Sequence, residues 1–354
     1  MASETEINLL AEPSYSNDVG SMEIKSLAAQ IANYSGFLDG YSFLRRNLTG
    51  SQIVILMYHR VSPQNDNWSL KPLSPQSFEG QIKYFCHNFE VIPLEQLVQR
   101  ILQEKPLPKK AVIITFDDGY KDNYLYAFPI LKKYHIPATF FLTTGHIGTG
   151  NLFWWDKVSY AIWHTTIGRL DLEELGSHSL LSDLDRSHAN FMITETFKKL
   201  PNDKKKSLIK RILNDLDVNI PPELGREIIL SWDEVREMSD DNILFGAHTV
   251  NHPVLTNLSL EQAKYEILQS KRDIEKELGK EVTSFSYPNG DFNAEIIELV
   301  KESGFTHAVS VFPKLIDSKD NTFTLGRIGA GEDFNKFKVA FCGLLGDTRG
   351  VLMK

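Results

Sequence analysis

A chain of 354 residues with 42% hydrophobic, 24% charged and 11% aromatic residues can bury a large core and has the makeup of an ordinary globular protein, which excludes a disordered or fibrous chain. Its net charge of −8 excludes broad nucleic-acid binding, because displacing counterions from phosphates needs a basic field. Cys86 and Cys342 stand far apart and form no CxxC pair, so neither a disulfide framework nor a thiolate metal site is expected, and both read as core thiols.

The N-terminal MASETEINLLAEPSYSND is acidic early and lacks an uninterrupted apolar stretch, so it does not read as a secretory signal. Cytoplasmic residence is the expectation, and the sequons at Asn47, Asn67 and Asn257 then carry no meaning. No stretch reaches the ~18 consecutive apolar residues of a spanning helix. Residues 1–50 read as an N-terminal extension, polar and flexible at first. From Ile24 to Leu48, apolar residues recur at mixed helical spacing, at Leu27, Ile31, Phe37, Leu38, Phe43 and Leu44. One or two helices packed on the main domain account for that pattern. A sharper reading is an amphipathic segment resting peripherally on the inner membrane face beside Arg45 and Arg46.

From residue 52 short apolar runs alternate with amphipathic stretches. The runs are IVILMY (53–58), FEVI (89–92), AVIITF (111–116), ATFFLT (138–143), ILFGA (243–247), TSFSY (283–287), THAVSV (306–311) and FTLGRI (323–328). Between them lie helical patterns such as SPQSFEGQIKYF, DNYLYAFPILKKY, SLEQAKYEILQSKRDIEKEL and NAEIIELVKESG. Buried strands separated by helices imply a parallel sheet covered on both faces. Seven or eight such units point to an α/β barrel of TIM type, while periodicity alone leaves an open doubly wound sheet as the alternative. Residues from about 150 to 230 exceed any ordinary connection and read as an αβ-loop grown into a helical cap. Its LFWWDKVSYAIW supplies aromatics for a core, and its KKLPNDKKKSLIKR reads as a solvated helix face.

Four polar clusters each follow one of these strands. In TFDDGY, Asp117 and Asp118 leave the strand AVIITF side by side, where two carboxylates repel and lose hydration unless a cation or hydrogen bonds compensate. A helix N-cap is the plainer alternative. In HTVNHP, His248 and His252 stand four apart after ILFGA, so a turn can aim both imidazoles at one point. With Asp118 they make a three-ligand set for a divalent transition metal that leaves a position open. In SYPNGDFN, Pro288 and Gly290 enforce a turn whose backbone N–H groups can face an oxyanion; an ordinary βα turn is the alternative. His59, in MYHR, ends the first strand on the face where barrel active sites collect.

TFDDG followed by H-[ST]-x-x-H resembles the polysaccharide deacetylase family, also called the NodB-homology or carbohydrate esterase family 4 group. The resemblance covers about residues 52–330 outside the insertion, within a domain taken as 51–346. It implies an irregular (β/α) barrel of about seven strands, with Asp117 as general base. It makes Asp118, His248 and His252 the ligands of a divalent metal, most often zinc. The YHR histidine and the YPxG turn are similar to deacetylases of poly-N-acetylglucosamine, which makes His59 the general acid and Asn289 the oxyanion donor. No Leu-x-His lies near the C-terminus to offer another acid. Two departures stand out. The arginine that many members place before the third-motif proline is absent from SFSYPNG, leaving Arg327 or Arg60 to hold the base, and Asn289 replaces an aromatic.

These residues imply hydrolysis of the acetamide of an N-acetylated amino sugar, free, polymeric, nucleotide-linked or lipid-linked, with Asp117 taking a proton from water and His59 protonating the departing amine. Absence of an export signal favours an intracellular precursor on a polyprenyl carrier. Two rivals are cleavage of another non-peptide amide at the same metal site and a non-catalytic carbohydrate-binding protein.

Overall fold

Strand β1 (Gln52–Tyr58) consists of seven buried residues whose branched side chains favour an extended backbone. Helix α1 (Pro75–Asn88) starts where Ser74 accepts a hydrogen bond from the Ser77 N–H, with Pro75 in the first turn, and it buries Phe78, Ile82 and Phe85 along one face. Next come β2 (Glu90–Val91), α2 (Leu94–Leu102) and β3 (Lys110–Phe116). A π-helical turn at Asn123–Ala127 runs into α3 (Phe128–Lys133), and β4 (Ala138–Leu142) follows. The computed structural model describes residues 51–64, 67–68, 70–333 and 338–339. The helices expected before residue 50, Cys342 and most of 334–346 lie outside the described residues.

The insertion holds α4 (Trp154–His164), β5 (Arg169–Leu172), β6 (Gly176–Ser179), α5 (Asp183–Lys199), α6 (Asn202–Asp215) and α7 (Leu224–Ile228). Two corrections belong here. The insertion leaves the C-terminal end of β4, so it is a βα connection, not an αβ one, and it starts on the face where the polar clusters sit. It is also not wholly helical, because β5 and β6 pair as an antiparallel hairpin. Val158, Ile162, Leu170, Phe197 and Ile212 give it a hydrophobic core of its own.

The chain then returns through α8 (Trp232–Ser239), β7 (Ile243–Ala247), α9 (Leu260–Leu278), β8 (Ser284–Ser286), α10 (Ala294–Glu302), β9 (His307–Val309) and β10 (Ile328–Gly329). The parallel order is β10-β1-β3-β4-β7-β8-β9, with β2 paired to β3 off this path. Its two ends meet: Leu325 bridges Val309 of β9, and Ile328 pairs with Leu56 of β1. The sheet therefore curls into an irregular seven-stranded (β/α) barrel, and an open doubly wound sheet is ruled out. Of the run FTLGRI, only its end is regular strand.

Side-chain alternation splits the core. Val54, Leu56, Val112, Ile114 and Phe140 pack with Phe78, Ile82, Ala263 and Ile267 of the surrounding helices. The intervening Ile53, Ile55, Ala111, Ile113, Phe141, Val309 and Leu325 pack on one another inside the curl. Cys86 corrects the reading of both cysteines as core thiols. It is exposed, because it falls one residue past the buried stripe of Phe78, Ile82 and Phe85.

Candidate active site

The inward face of β3 continues from Ile113 through Thr115 to Asp117, and the same two-residue period on the closing segment runs from Leu325 to Arg327. These two side chains meet. Arg327 Nη1 donates to Asp117 Oδ1 at 2.7 Å and Nη2 to Oδ2 at 2.6 Å. Its remaining donors reach Thr115 Oγ1, Ser286 Oγ and the Ser310 carbonyl, each at 3.0 Å. All five guanidinium N–H groups are thus satisfied in a side chain with no exposed surface, which a lysine cannot reproduce. Of the two arginines open to this role in the sequence, Arg327 fills it. Arg60 pairs instead with Asp122, Nε to Oδ2 at 2.7 Å. Burial pushes the Asp117 carboxyl up, but Arg327, His248 and His59 outweigh it and hold the group well below the usual carboxylate range.

Beyond Asp117 the chain turns sharply. Asp118 takes φ 75° and Gly119 φ 93°, and a Cβ on Gly119 would lie 2.7 Å from Ile147 Cδ1, so only glycine fits there. This turn points Asp118 at the histidines. His248 Nε2 and His252 Nε2 each lie 3.6 Å from Asp118 Oδ1. His248 Nδ1–H donates to the Ser286 carbonyl at 2.8 Å, a tautomer inferred from that contact, which leaves Nε2 as a lone-pair donor.

These three residues fit a metal on the protein's own terms. Their ligand atoms lie within 4.8 Å of one another. Asp118 Oδ1 and His252 Nδ1 are buried without a hydrogen-bond partner, a costly arrangement that a cation would relieve at the carboxylate. Burial lowers the pKa of both His248 and His252, which keeps the imidazoles neutral. Burial, with Asp117 and Asp156 nearby, pushes the Asp118 carboxyl well up.

Backbone strain marks the same place: Asp118, Thr249, His252 and Asn289 all have positive φ. The histidine loop is held by Glu266 of α9, whose carboxylate accepts from Val250 N at 2.9 Å, Asn251 N at 2.8 Å and Asn251 Nδ2 at 2.8 Å. Thr249 Oγ1 accepts from His252 N at 3.0 Å. Such outer partners typically govern about 10- to 100-fold of metal affinity. Glu266→Ala is therefore expected to weaken any divalent-metal binding by a factor in that range in a competitive chelator titration, and an unchanged affinity would show that the loop holds itself.

His59 leaves β1 beside this centre. Asn123 Nδ2 donates to its carbonyl at 3.0 Å, and its ring lies within electrostatic reach of Asp117, Arg327 and His248. Burial lowers its pKa, Asp117 raises it and Arg327 lowers it, with a net downward direction. Asn289 is exposed in the turn after β8, at φ 55°, and its N–H takes no acceptor among the described residues. The insertion reaches the site as well. Trp155 packs edge-on to His252 with ring centroids 4.8 Å apart and donates to Tyr120 Oη, which in turn donates to buried Asp156.

Residues 104–308 match the family model for polysaccharide deacetylase. The chain belongs to the polysaccharide deacetylase family. Among curated relatives, the Bacillus subtilis protein YxkH is 23% identical over 279 residues, covering 78% of this chain and 71% of its own. The poly-β-1,6-N-acetyl-D-glucosamine N-deacetylase of Staphylococcus aureus is 30% identical over 202 residues, 44% of this chain and 68% of that one. Among solved structures, the Streptococcus pyogenes deacetylase PplD, determined with acetate, aligns at a TM-score of 0.56 and 20% identity, over 84% of this chain and 98% of that one, a likeness of fold. The family match includes Asp117, Asp118, His248, His252 and Asn289, but His59 and Arg327 fall outside it on the segments that close the barrel.

Ser286, Glu266, Trp155 and Asp156 had not been singled out in the sequence. Ser286 alone carried a signal, a polar residue at an inward position of a buried strand just before the third motif.

Proposed function

We propose that this protein is a metal-dependent N-deacetylase acting on an N-acetylated amino sugar within a carbohydrate. The observation that carries the reading is a buried carboxylate, Asp117, held ionised by Arg327 beside a separate Asp118, His248 and His252 ligand set. A binding protein has no use for such a base. Bound there, a divalent cation, zinc for two imidazoles and one carboxylate, supplies Lewis acidity toward the acetyl carbonyl and lowers the pKa of water.

The chain's own groups do the rest. Asp117 takes a proton from water as its oxygen bonds to the acetyl carbon. The Asn289 N–H faces the oxygen that gains charge, an effect worth ~3 kcal/mol for one well-placed donor. His59 gives a proton to the amide nitrogen as the C–N bond breaks, because an amide anion is a poor leaving group. Proton uptake neutralises Asp117, whose charge favours protonated His59 against burial and Arg327, so any proton on His59 is given up more readily at the stage when the amine departs. Acetate and a free amino sugar result.

Incubation with a panel of N-acetylated amino sugars and their oligomers is expected to release acetate, to stop on chelation and to resume on adding zinc. No acetate from any member, or release undiminished by the chelator, would overturn the reading.

A further inference from the structure

The two imidazoles of the ligand set are held in different ways. His248 spends its Nδ1–H on the Ser286 carbonyl, whereas His252 Nδ1 is buried with no hydrogen-bond partner among the described residues. A metal-ligating histidine normally fixes its ring by donating from the nitrogen that does not bind the metal. At His252 aromatic side chains stand where that partner would be. Trp155, in the first turn of α4, lies with its ring centroid 4.8 Å from that of His252 and its plane at 71°, and Phe153 lies at 6.3 Å and 75°. The Phe153 and Trp155 rings stack on each other at 4.5 Å, within 6° of parallel, so the two make one wall against the imidazole.

Trp155 is itself tethered. Its Nε1–H donates to Tyr120 Oη at 2.8 Å, and that hydroxyl gives its single proton to Asp156 Oδ2 at 3.0 Å. Tyr120 and Asp156 have no exposed surface. The backbone on both sides of Tyr120 is pinned as well: Leu230 N donates to the Gly119 carbonyl at 3.0 Å, and Lys121 N donates to the Ile228 carbonyl at 2.6 Å. The three residues directly after Asp118 therefore receive both the entry of the insertion, through Trp155 and Asp156, and its exit, through Ile228 and Leu230. Tryptophan suits this position because its indole offers a broad ring to one neighbour and an N–H to another, whereas phenylalanine offers only the ring.

We infer that Trp155 is a positioning residue for the metal: held by Tyr120 and Asp156, it fixes the His252 ring with Nε2 toward Asp118, the task a hydrogen bond performs at His248, and so makes metal affinity depend on the insertion. The inference rests on the metal-site reading above, but its test does not require turnover. Zinc affinity of the full chain is measured by competition with a chromophoric chelator, and the visible absorption of the cobalt(II)-loaded protein reports the arrangement of the ligands. Trp155→Ala is expected to bind zinc ~10- to 100-fold more weakly, the range for an outer partner of a ligand, and to alter the cobalt bands. Trp155→Phe, which keeps a ring but no N–H, should lose only several-fold, and Tyr120→Phe should lose the same amount, because each breaks the same hydrogen bond. Added to Trp155→Ala, Tyr120→Phe should cost nothing further, since its hydroxyl acts on the site through that ring. Ile212→Ala, in the insertion's own core, should lower the Tm of the metal-free protein and leave zinc affinity unchanged. Zinc affinity and cobalt bands unmoved in Trp155→Ala, losses from Tyr120→Phe and Trp155→Ala that multiply in the double variant, or an equal loss in Ile212→Ala would each overturn the inference and leave the deacetylase reading standing. An unaltered protein that takes up no divalent metal would overturn both. If the variants behave as expected but the unaltered protein releases no acetate from N-acetylated amino sugars, the deacetylase reading falls and the role of Trp155 stands.

Discussion

On the proposed deacetylase reading, Asp117→Asn is expected to lower acetate release by ~10²- to 10⁴-fold, the usual contribution of a positioned general base, while divalent-metal content matches that of the unaltered protein. The asymmetry follows from the geometry. Asp117 is gripped by Arg327 on both oxygens, whereas Asp118 has an oxygen with no hydrogen-bond partner facing two imidazole nitrogens at 3.6 Å. Asparagine keeps the size of the side chain but cannot take up a proton, so chemistry is lost and the metal ligands remain. The matching change at the ligand, Asp118→Asn, should reverse the pattern by losing metal first. Acetate release and metal content measured on both variants separate the two roles. Loss of zinc in Asp117→Asn, or retention of more than a tenth of its turnover, would show that the two aspartates share one task.

The strands and four clusters at their ends were legible in the sequence because each is local: a continuous apolar run, then polar residues within a few positions. Asp117, Asp118, His248 and His252 stood out that way, and the structure brings them together from the ends of β3 and β7, the strands on either side of β4. His59 lies within electrostatic reach of the same centre, and Asn289 sits in the turn that follows β8. What was not legible depends on closure. Arg327 lies 210 residues from Asp117 and sits just before a strand too short to announce itself, so only the curl of the sheet chooses it over Arg60, which is adjacent in sequence to His59. Glu266 looks like any charge on an amphipathic helix until the histidine loop folds onto it. The hairpin in the insertion was hidden because β5 and β6 span four residues each, too few for a clear alternation.

Arg327→Met is expected to be the most destabilising single change at the site, by about 3–5 kcal/mol at neutral pH, the usual cost of leaving one partner of a buried ion pair alone. Its pH dependence identifies the cause. With Arg327 present, the folded-state pKa of Asp117 lies below its unfolded value of about 3.9, so the pair's stabilisation is complete above that value and fades as pH falls through the folded one. Without Arg327, burial, the largest influence on Asp117, is opposed only by the histidines, and the carboxyl pKa rises above its unfolded value. The variant then loses stability as pH rises through the unfolded pKa toward the raised folded one, where the ionised carboxylate must be buried without its partner. Urea unfolding of the two proteins should therefore show a gap that is widest near pH 7 and narrows toward pH 4, together with an acid limb of kcat/KM displaced to higher pH in the variant. A gap that does not change with pH would assign the loss to packing around a large buried side chain, and an unmoved acid limb would mean that Asp117 is not the group whose ionisation turns the reaction on.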